Sequence, residues 1–209
     1  MQHHPNRLQH GSYNVGVVGL GTGTIAAFGR QGDLFRFYEI NPDVLRLSDE
    51  WFWYRKKTLA QVETVLGDGR IQLEHELTRG QNQRFDVLVA DAFTSDAIPL
   101  HLLTRECAQL YRQHLKDDGI LAINITNQHL DLVPVALGMA RTLQWEAVLV
   151  DSEDNLDLNT WDARWMLITS NQTFLNLPII RKVRTDWPVD VITPLLWTDE
   201  YTSLFHVLK

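Results

Sequence analysis

Residues 15–24 read VGVVGLGTGT, a short apolar run that breaks into three glycines at alternate positions, Gly19, Gly21 and Gly23. A run with no polar face suits a strand buried on both sides, inside a sheet covered by helices on both faces. Glycines then let the backbone turn tightly and approach a ligand closely, before TGTIAAFGR, whose small and apolar residues predict a helix. In an open α/β sheet, that turn lies where ligands bind, outside the carboxyl ends of the strands.

The same alternation continues along the chain. LFRFYEI (34–40) reads as a second strand, followed by a helix that Asn41 can cap and Pro42 can open. VETVLGD (62–68) reads as a third strand, IQLEHELT as a short helix and FDVLVAD (85–91) as a fourth strand. An amphipathic pattern over 100–116 predicts a long helix, GILAINIT a fifth strand, and LDLVPVALGMARTL a helix with Pro134 in its first turn. WEAVLVD (145–151) and ARWMLITS (163–170) are the sixth and seventh strands, with no helical pattern between them. The expected fold is α/β, a Rossmann-like seven-stranded sheet, mostly parallel with an antiparallel last strand and helices on both faces. That antiparallel strand separates the methyltransferase-like variant from the dinucleotide-binding dehydrogenase variant. Residues 1–14 read as a tail, 15–170 as one Rossmann-like ligand-binding domain, and 171–209 as an irregular extension packed on it, ending in a helix over DEYTSLFHVL.

Composition narrows the ligand. A chain of 209 residues, 44% hydrophobic, can bury one substantial core. Its formal net charge of -7 argues against nucleic acid and suits a cationic small substrate. The single cysteine, Cys107, lies within a helical pattern, reads as a small buried apolar residue and fits a reducing, cytoplasmic compartment. No apolar run approaches the roughly 20 residues that span a bilayer, and the polar opening lacks the apolar stretch of a signal peptide. His3, His4 and His10 have no Cys or carboxylate at ligand spacing, so a loose tail is expected rather than a metal site.

Successive strand ends carry the chemistry. The turn is GxGxG: Thr24 stands where a dinucleotide fingerprint places its third glycine. Glu39, ending the second strand, stands where an acid accepts ribose hydroxyls; the alternative is a charge capping the next helix. Gly67-Asp68-Gly69-Arg70 places a carboxylate in a tight turn able to accept an exocyclic amine such as that of adenine, or simply forms a turn. Asp91 ends the fourth strand, with Asp96 five residues later.

The stretches VGVVGLGTGT, FYEINPDV, LGDGR, FDVLVADAFTSDAIPLHLLTREC, LKDDGILAINITN and LWTDEYTSLF cover most of residues 15–130 plus the tail. Together they resemble the spermidine synthase-like (polyamine aminopropyltransferase) branch of the class I S-adenosylmethionine-dependent methyltransferase-fold superfamily. They are most similar to the bacterial fused type, in which such a domain often follows a membrane-embedded segment.

The resemblance implies S-adenosylmethionine or decarboxylated S-adenosylmethionine as co-substrate, an amine or polyamine as acceptor, and no metal. Gly19, Gly21, Thr22 and Gly23 would line the methionine-derived part, Glu39 would hold the ribose, and Asp68 with Gly69 the adenine. Asp91 would be catalytic, relieving the attacking ammonium of a proton, because a protonated amine is not a nucleophile. Asp96 would be a second catalytic carboxylate, although capping a helix near Pro99 explains it as well. The implied reaction is in-line displacement at the sulfonium-bound carbon.

Two departures stand out: Thr22 replaces the acid that contacts the amino group of the decarboxylated cofactor in the resembling synthases, and only about fourteen residues precede the first strand where that family has a β-rich segment. The chain therefore also reads as a fragment or a trimmed descendant. An ordinary methyltransferase and a non-catalytic nucleoside-binding or assembly module stay open as alternatives, as do a homodimer and a membrane-anchored parent.

Two further stretches have ordinary readings. Asp151, Glu153, Asn155 and Asp157 alternate as in a calcium loop, but Leu156 occupies the glycine position, so a solvated hairpin connection is expected. If that loop faces the site, its field attracts polyamines. Trp51, Trp53 and Tyr54 are expected to end a helix packed on the sheet, and Trp161, Trp165, Trp187 and Trp197 to serve the core or contacts between chains.

Overall fold

The computed structural model describes residues 11–92, 99–154, 161–185 and 192–209. Seven strands form one sheet: β1 (Asn14–Val18), β2 (Leu34–Glu39), β3 (Gln61–Leu66), β4 (Phe85–Ala90), β5 (Leu115–Asn124), β6 (Glu146–Ser152) and β7 (Ala163–Thr169). Their order is β3-β2-β1-β4-β5-β7-β6. The first five are mutually parallel, and β7 slots antiparallel between β5 and β6, pairing Ile120 with Thr169 on one side and Glu146 with Thr169 on the other. The chain reverses direction between β1 and β4, which opens a crevice at their carboxyl ends.

The continuous apolar runs follow from cover on both faces. Val15 and Val17 of β1 pack into one buried cluster with Phe35 and Phe37, while Val18 joins the other with Leu73, Cys107 and Tyr111. All six residues of β4 are buried. Gly16 keeps the strands close, because a Cβ there would meet the Phe85 ring at 2.6 Å.

Helix starts are set by side-chain caps. Asn41 accepts from Asp43 N at the start of α1 (Pro42–Trp51), and a short α2 (Tyr54–Lys57) follows. Asp68 accepts from Ile71 N to open α3 (Gly69–Thr78), and Thr104 from Cys107 N to open α4 (Arg105–His114). Pro134 lies in the first turn of α5 (Val133–Leu143). Two short helices, α6 (Gln172–Leu175) and α7 (Pro178–Val183), lead into the tail. Among the described residues, no helix is long and apolar enough to cross a membrane.

Four expectations need correction. After the glycine turn there is only a five-residue 3-10 helix, Thr24–Phe28, because Gly23 (φ 79°) bounds it on one side and Gly29 closes it by donating to Ala26 O. The helix predicted over 100–116 is shorter: Leu100–Leu102 is a separate 3-10 turn, the Thr104 cap delays α4, and Leu115 pairs with Phe85 in the sheet. The terminal helix is reduced to a 3-10 turn, Leu204–His206, since the tail spends backbone groups on the body: Asp131 N donates to Val207 O and Lys209 N to His129 O. Finally, Trp51 (75% exposed) and Trp53 (57%) face outward rather than onto the sheet, with the Trp53 ring tilted by 31° against Tyr54 at 5.0 Å and beneath the Lys57 ammonium.

Of the remaining tryptophans, Trp197 is buried at 1% exposure, Trp165 half-buried and Trp161 exposed; Trp187 lies outside the described residues. Cys107 is buried, and burial pushes its thiol up to about 12, which makes it an inert core residue.

Trp197 seats the tail as a strap along α4 and α5. Arg105 N donates to Trp197 O and Leu195 N to Pro134 O, and the strap passes so near α5 that a Cβ on Gly138 would lie 2.1 Å from Leu195 O. Gly138→Ala is therefore expected to cost about 1–3 kcal/mol, because backbone rather than a flexible side chain must move. Urea unfolding measures this; wild-type stability in the variant would show that the strap is not seated there.

Candidate active site

A cavity of about 540 Å³ opens at the carboxyl ends of β1, β2, β3 and β4. Its floor is the glycine turn. Gly19 N donates to Tyr38 O and Asp91 N to Val18 O, so the parallel ladders extend one residue beyond the strands. Gly19 adopts φ 97°, and an added Cβ would lie 2.2 Å from Asp91 O; only glycine allows the first and fourth loops to approach so closely. Gly21 adopts φ 52° with nothing within 4 Å of the added Cβ, leaving bare backbone on the cavity wall.

Glu39 fixes that floor. Its carboxylate is buried at 7% exposure, accepting from Leu20 N at 2.9 Å through Oε2 and from Asn41 N at 2.8 Å through Oε1. Each oxygen retains a lone pair, so the group can hold the turn and still accept from a ligand hydroxyl.

Asp68 is on the wall with Gly69, whose Cβ would strike Val18 Cγ1 at 2.6 Å. Its carboxylate caps α3 through Oδ1 and meets His101 Nε2 at 3.0 Å through Oδ2. Asp91 is exposed on the opposite wall, where Oδ1 accepts from Asn124 Nδ2 at 2.8 Å. Thr22 and Gly23 lie in the same turn but not on the cavity wall. Thr22 O accepts from Ser48 Oγ, and Gly23 packs beneath the Arg55 side chain. Asp96 falls outside the described residues, as do His3, His4, His10, Asn155, Leu156 and Asp157. Asp151 of the acidic stretch is paired with Arg164 Nε at 2.7 Å. Among the described residues, no group of three or more His, Cys, Asp or Glu is placed to hold a metal.

His101 and Asn124 are absent from the sequence reading. Each contacts its partner across 33 residues, a distance that local pattern does not report. The apolar wall residues Leu20, Ile40, Val44 and Leu102 were equally hidden, because apolar residues beside strand ends look like core. Among the described residues, three carboxylates and no Lys or Arg line the cavity, so its field favours a cationic ligand over a phosphate.

No family model matches the chain. Over 113 residues it is 29% identical to a polyamine aminopropyltransferase of Vibrio vulnificus, covering 52% of this chain and 36% of that protein. Over 133 residues it is 32% identical to an N-terminal histidine N-methyltransferase of Emericella nidulans, covering 63% and 23%. The chain thus spans about a third or less of these curated relatives. Among solved structures, spermidine synthase from Thermotoga maritima superposes with a TM-score of 0.55 at 16% identity, over 95% of this chain and 66% of that one.

Over about half its length the chain is thus similar to a polyamine aminopropyltransferase, and its sheet has the fold of a spermidine synthase. The tail strap is tied to the cavity wall beside Asp68. Arg70, two residues after Asp68, donates to both carboxylate oxygens of Asp199 and to His101 O, while Thr104 Oγ1 donates to Asp199 Oδ1. The Arg70 guanidinium holds the Asp199 carboxyl down to about 2 from its usual 3.8, aided by Thr104 and opposed by partial burial. A carboxyl depressed in the folded state stabilises above its unfolded pKa and loses that contribution as pH falls through the folded value. Asp199→Asn should therefore lower the urea midpoint at neutral pH, and the gap from wild type should close between about pH 4 and pH 2. A gap independent of pH would show that the ion pair contributes nothing.

Proposed function

We propose that this domain is a transferase that binds an adenosyl sulfonium, S-adenosylmethionine or its decarboxylated form, and transfers an aminopropyl group to an amine. The observation that carries the reading is the cavity wall: bare glycine backbone, a buried acid at the end of β2, and acids at the ends of β3 and β4, with no Lys or Arg among the described residues. A sulfonium and an ammonium are both cations, and both are suited by that wall. The 29% identity to a polyamine aminopropyltransferase supports the choice of group.

Gly19 and Gly21 would admit the cofactor's sulfonium end, with Thr22 and Gly23 shaping the turn from behind; Glu39 would accept the ribose hydroxyls. Asp68 and Gly69 would bound the adenine. When bound, the cofactor supplies an electrophilic carbon whose bond to sulfur breaks as a neutral thioether leaves. Asp91 would hold the acceptor as an ammonium, take one proton from it, and leave the nitrogen lone pair free to form the new carbon–nitrogen bond. Asp96 remains the candidate for a second acceptor-binding carboxylate.

A second reading, methyl transfer from S-adenosylmethionine, is favoured by Thr22 in place of the acid and by the 32% identity to a histidine N-methyltransferase. Calorimetry with both cofactors separates the two. Aminopropyl transfer requires the decarboxylated form to bind; binding of S-adenosylmethionine alone would leave methyl transfer. Asp91→Asn is expected to lower turnover by at least ~100-fold while cofactor binding stays within a few-fold. Undiminished turnover would remove Asp91 from the chemistry.

A further inference from the structure

Asn124 ends β5 beside Asp91, which follows the end of β4, and the neighbouring residues Ala90 and Ile123 are register partners in the parallel ladder. Its side-chain amide is engaged at both ends. Oδ1 accepts from Thr126 N at 2.9 Å, and Nδ2 donates to Asp91 Oδ1 at 2.8 Å. The first contact decides the orientation of the second: a flipped amide would oppose its NH₂ to the Thr126 N–H and its oxygen to the carboxylate, losing both hydrogen bonds. The Asp91 backbone is held separately, through Asp91 N to Val18 O. Backbone and one carboxylate oxygen are thus pinned by two neighbouring strands, while among the described residues Oδ2 carries no hydrogen bond.

We propose that Asn124 is a positioning residue that orients the Asp91 carboxylate in the cavity, engaging Oδ1 and reserving Oδ2 for the acceptor ammonium. The proposal deepens the reading of Asp91 as the amine-facing carboxylate and rests on it. A neutral donor suits this place better than a cation, which would compete with the acceptor for the carboxylate. It also suits it better than an acid, which would repel the carboxylate. Among the described residues, Tyr38, Glu39, Asp68 and His101 are the other titratable groups on the wall, and Asn124 adds no charge to them.

Asn124→Asp is the decisive variant, because it retains an oxygen for Thr126 N and replaces the donor to Asp91 by a second negative charge; Asn124→Ala removes both contacts. In wild type, the Asn124 amide proton facing Asp91 should be shifted downfield in the NMR spectrum, and Asp91→Ala should move it back. With decarboxylated S-adenosylmethionine and 1,4-diaminobutane, Asn124→Asp should lower kcat by about ten- to hundredfold with little change in cofactor KM. It should also move the acid limb of the kcat/KM profile to higher pH while leaving the Tm near wild type. An amide proton that does not move in Asp91→Ala overturns the clamp. A shifted amide proton with wild-type kcat and an unmoved acid limb in Asn124→Asp overturns the positioning role. A chain that binds neither adenosyl compound sinks the proposed function instead, and the amide proton shift still decides whether Asn124 holds Asp91.

Discussion

The Glu39 carboxylate is the joint on which the cavity depends. A buried anion is tolerated only when its lone pairs are engaged, and here two backbone N–H groups meet it from opposite sides. One belongs to Leu20 in the glycine turn and the other to Asn41 at the start of α1. A single side chain at the end of β2 therefore sets both the loop that approaches the ligand and the helix that walls it. The neighbouring ladders extend the same device, with Gly67 N on Glu39 O and Asp91 N on Val18 O. Four strand ends are locked to one another without any ligand, so the cavity floor is preorganised by the chain itself.

The succession of strands along the chain and the acids at their ends were legible because both follow from local chemistry. A run such as FDVLVA has no polar face, and an acid that directly ends such a run must lie at the carboxyl end of the sheet. What was not legible depends on contacts between distant residues. The tail sequence DEYTSLFHVL is compatible with a helix, yet its backbone is spent on Asp131 and His129. The amphipathic pattern over 100–116 runs through the Thr104 cap and into a strand, since Leu115 serves β5 as well as it would serve a helix. His101 and Asn124 carry no motif of their own, and their partners are known only once the strands are placed side by side.

The outward-facing aromatics have a related cause. Trp51 and Trp53 flank the end of α1, where the chain turns toward β3, and the short 3-10 helix Thr24–Phe28 stands where a full crossover helix would give more cover. The helix-rich face of the sheet, packed by α3, α4 and α5, buries Trp197 completely. The face served by the 3-10 turn, α1, α6 and α7 leaves Phe28 and Leu59 half or more exposed. Uneven helix length, rather than a difference in side-chain chemistry, accounts for the asymmetry.

The glycine turn separates two roles that the sequence pattern had merged. Gly19 and Gly21 present backbone to the cavity, whereas Thr22 and Gly23 are held from behind. Ser48 of α1 bonds the Thr22 carbonyl, the Thr22 and Thr24 hydroxyls meet at 2.7 Å, and Arg55 packs on Gly23. Threonine at position 22 thus ties the turn to itself, and the described cavity wall takes its negative charge from Glu39, Asp68 and Asp91 alone. With no acid in the turn, a ligand lying against Gly19 and Gly21 meets backbone rather than charge. The field is instead set from the strand ends, where Asp91 after β4 attracts a cation and repels a carboxylate.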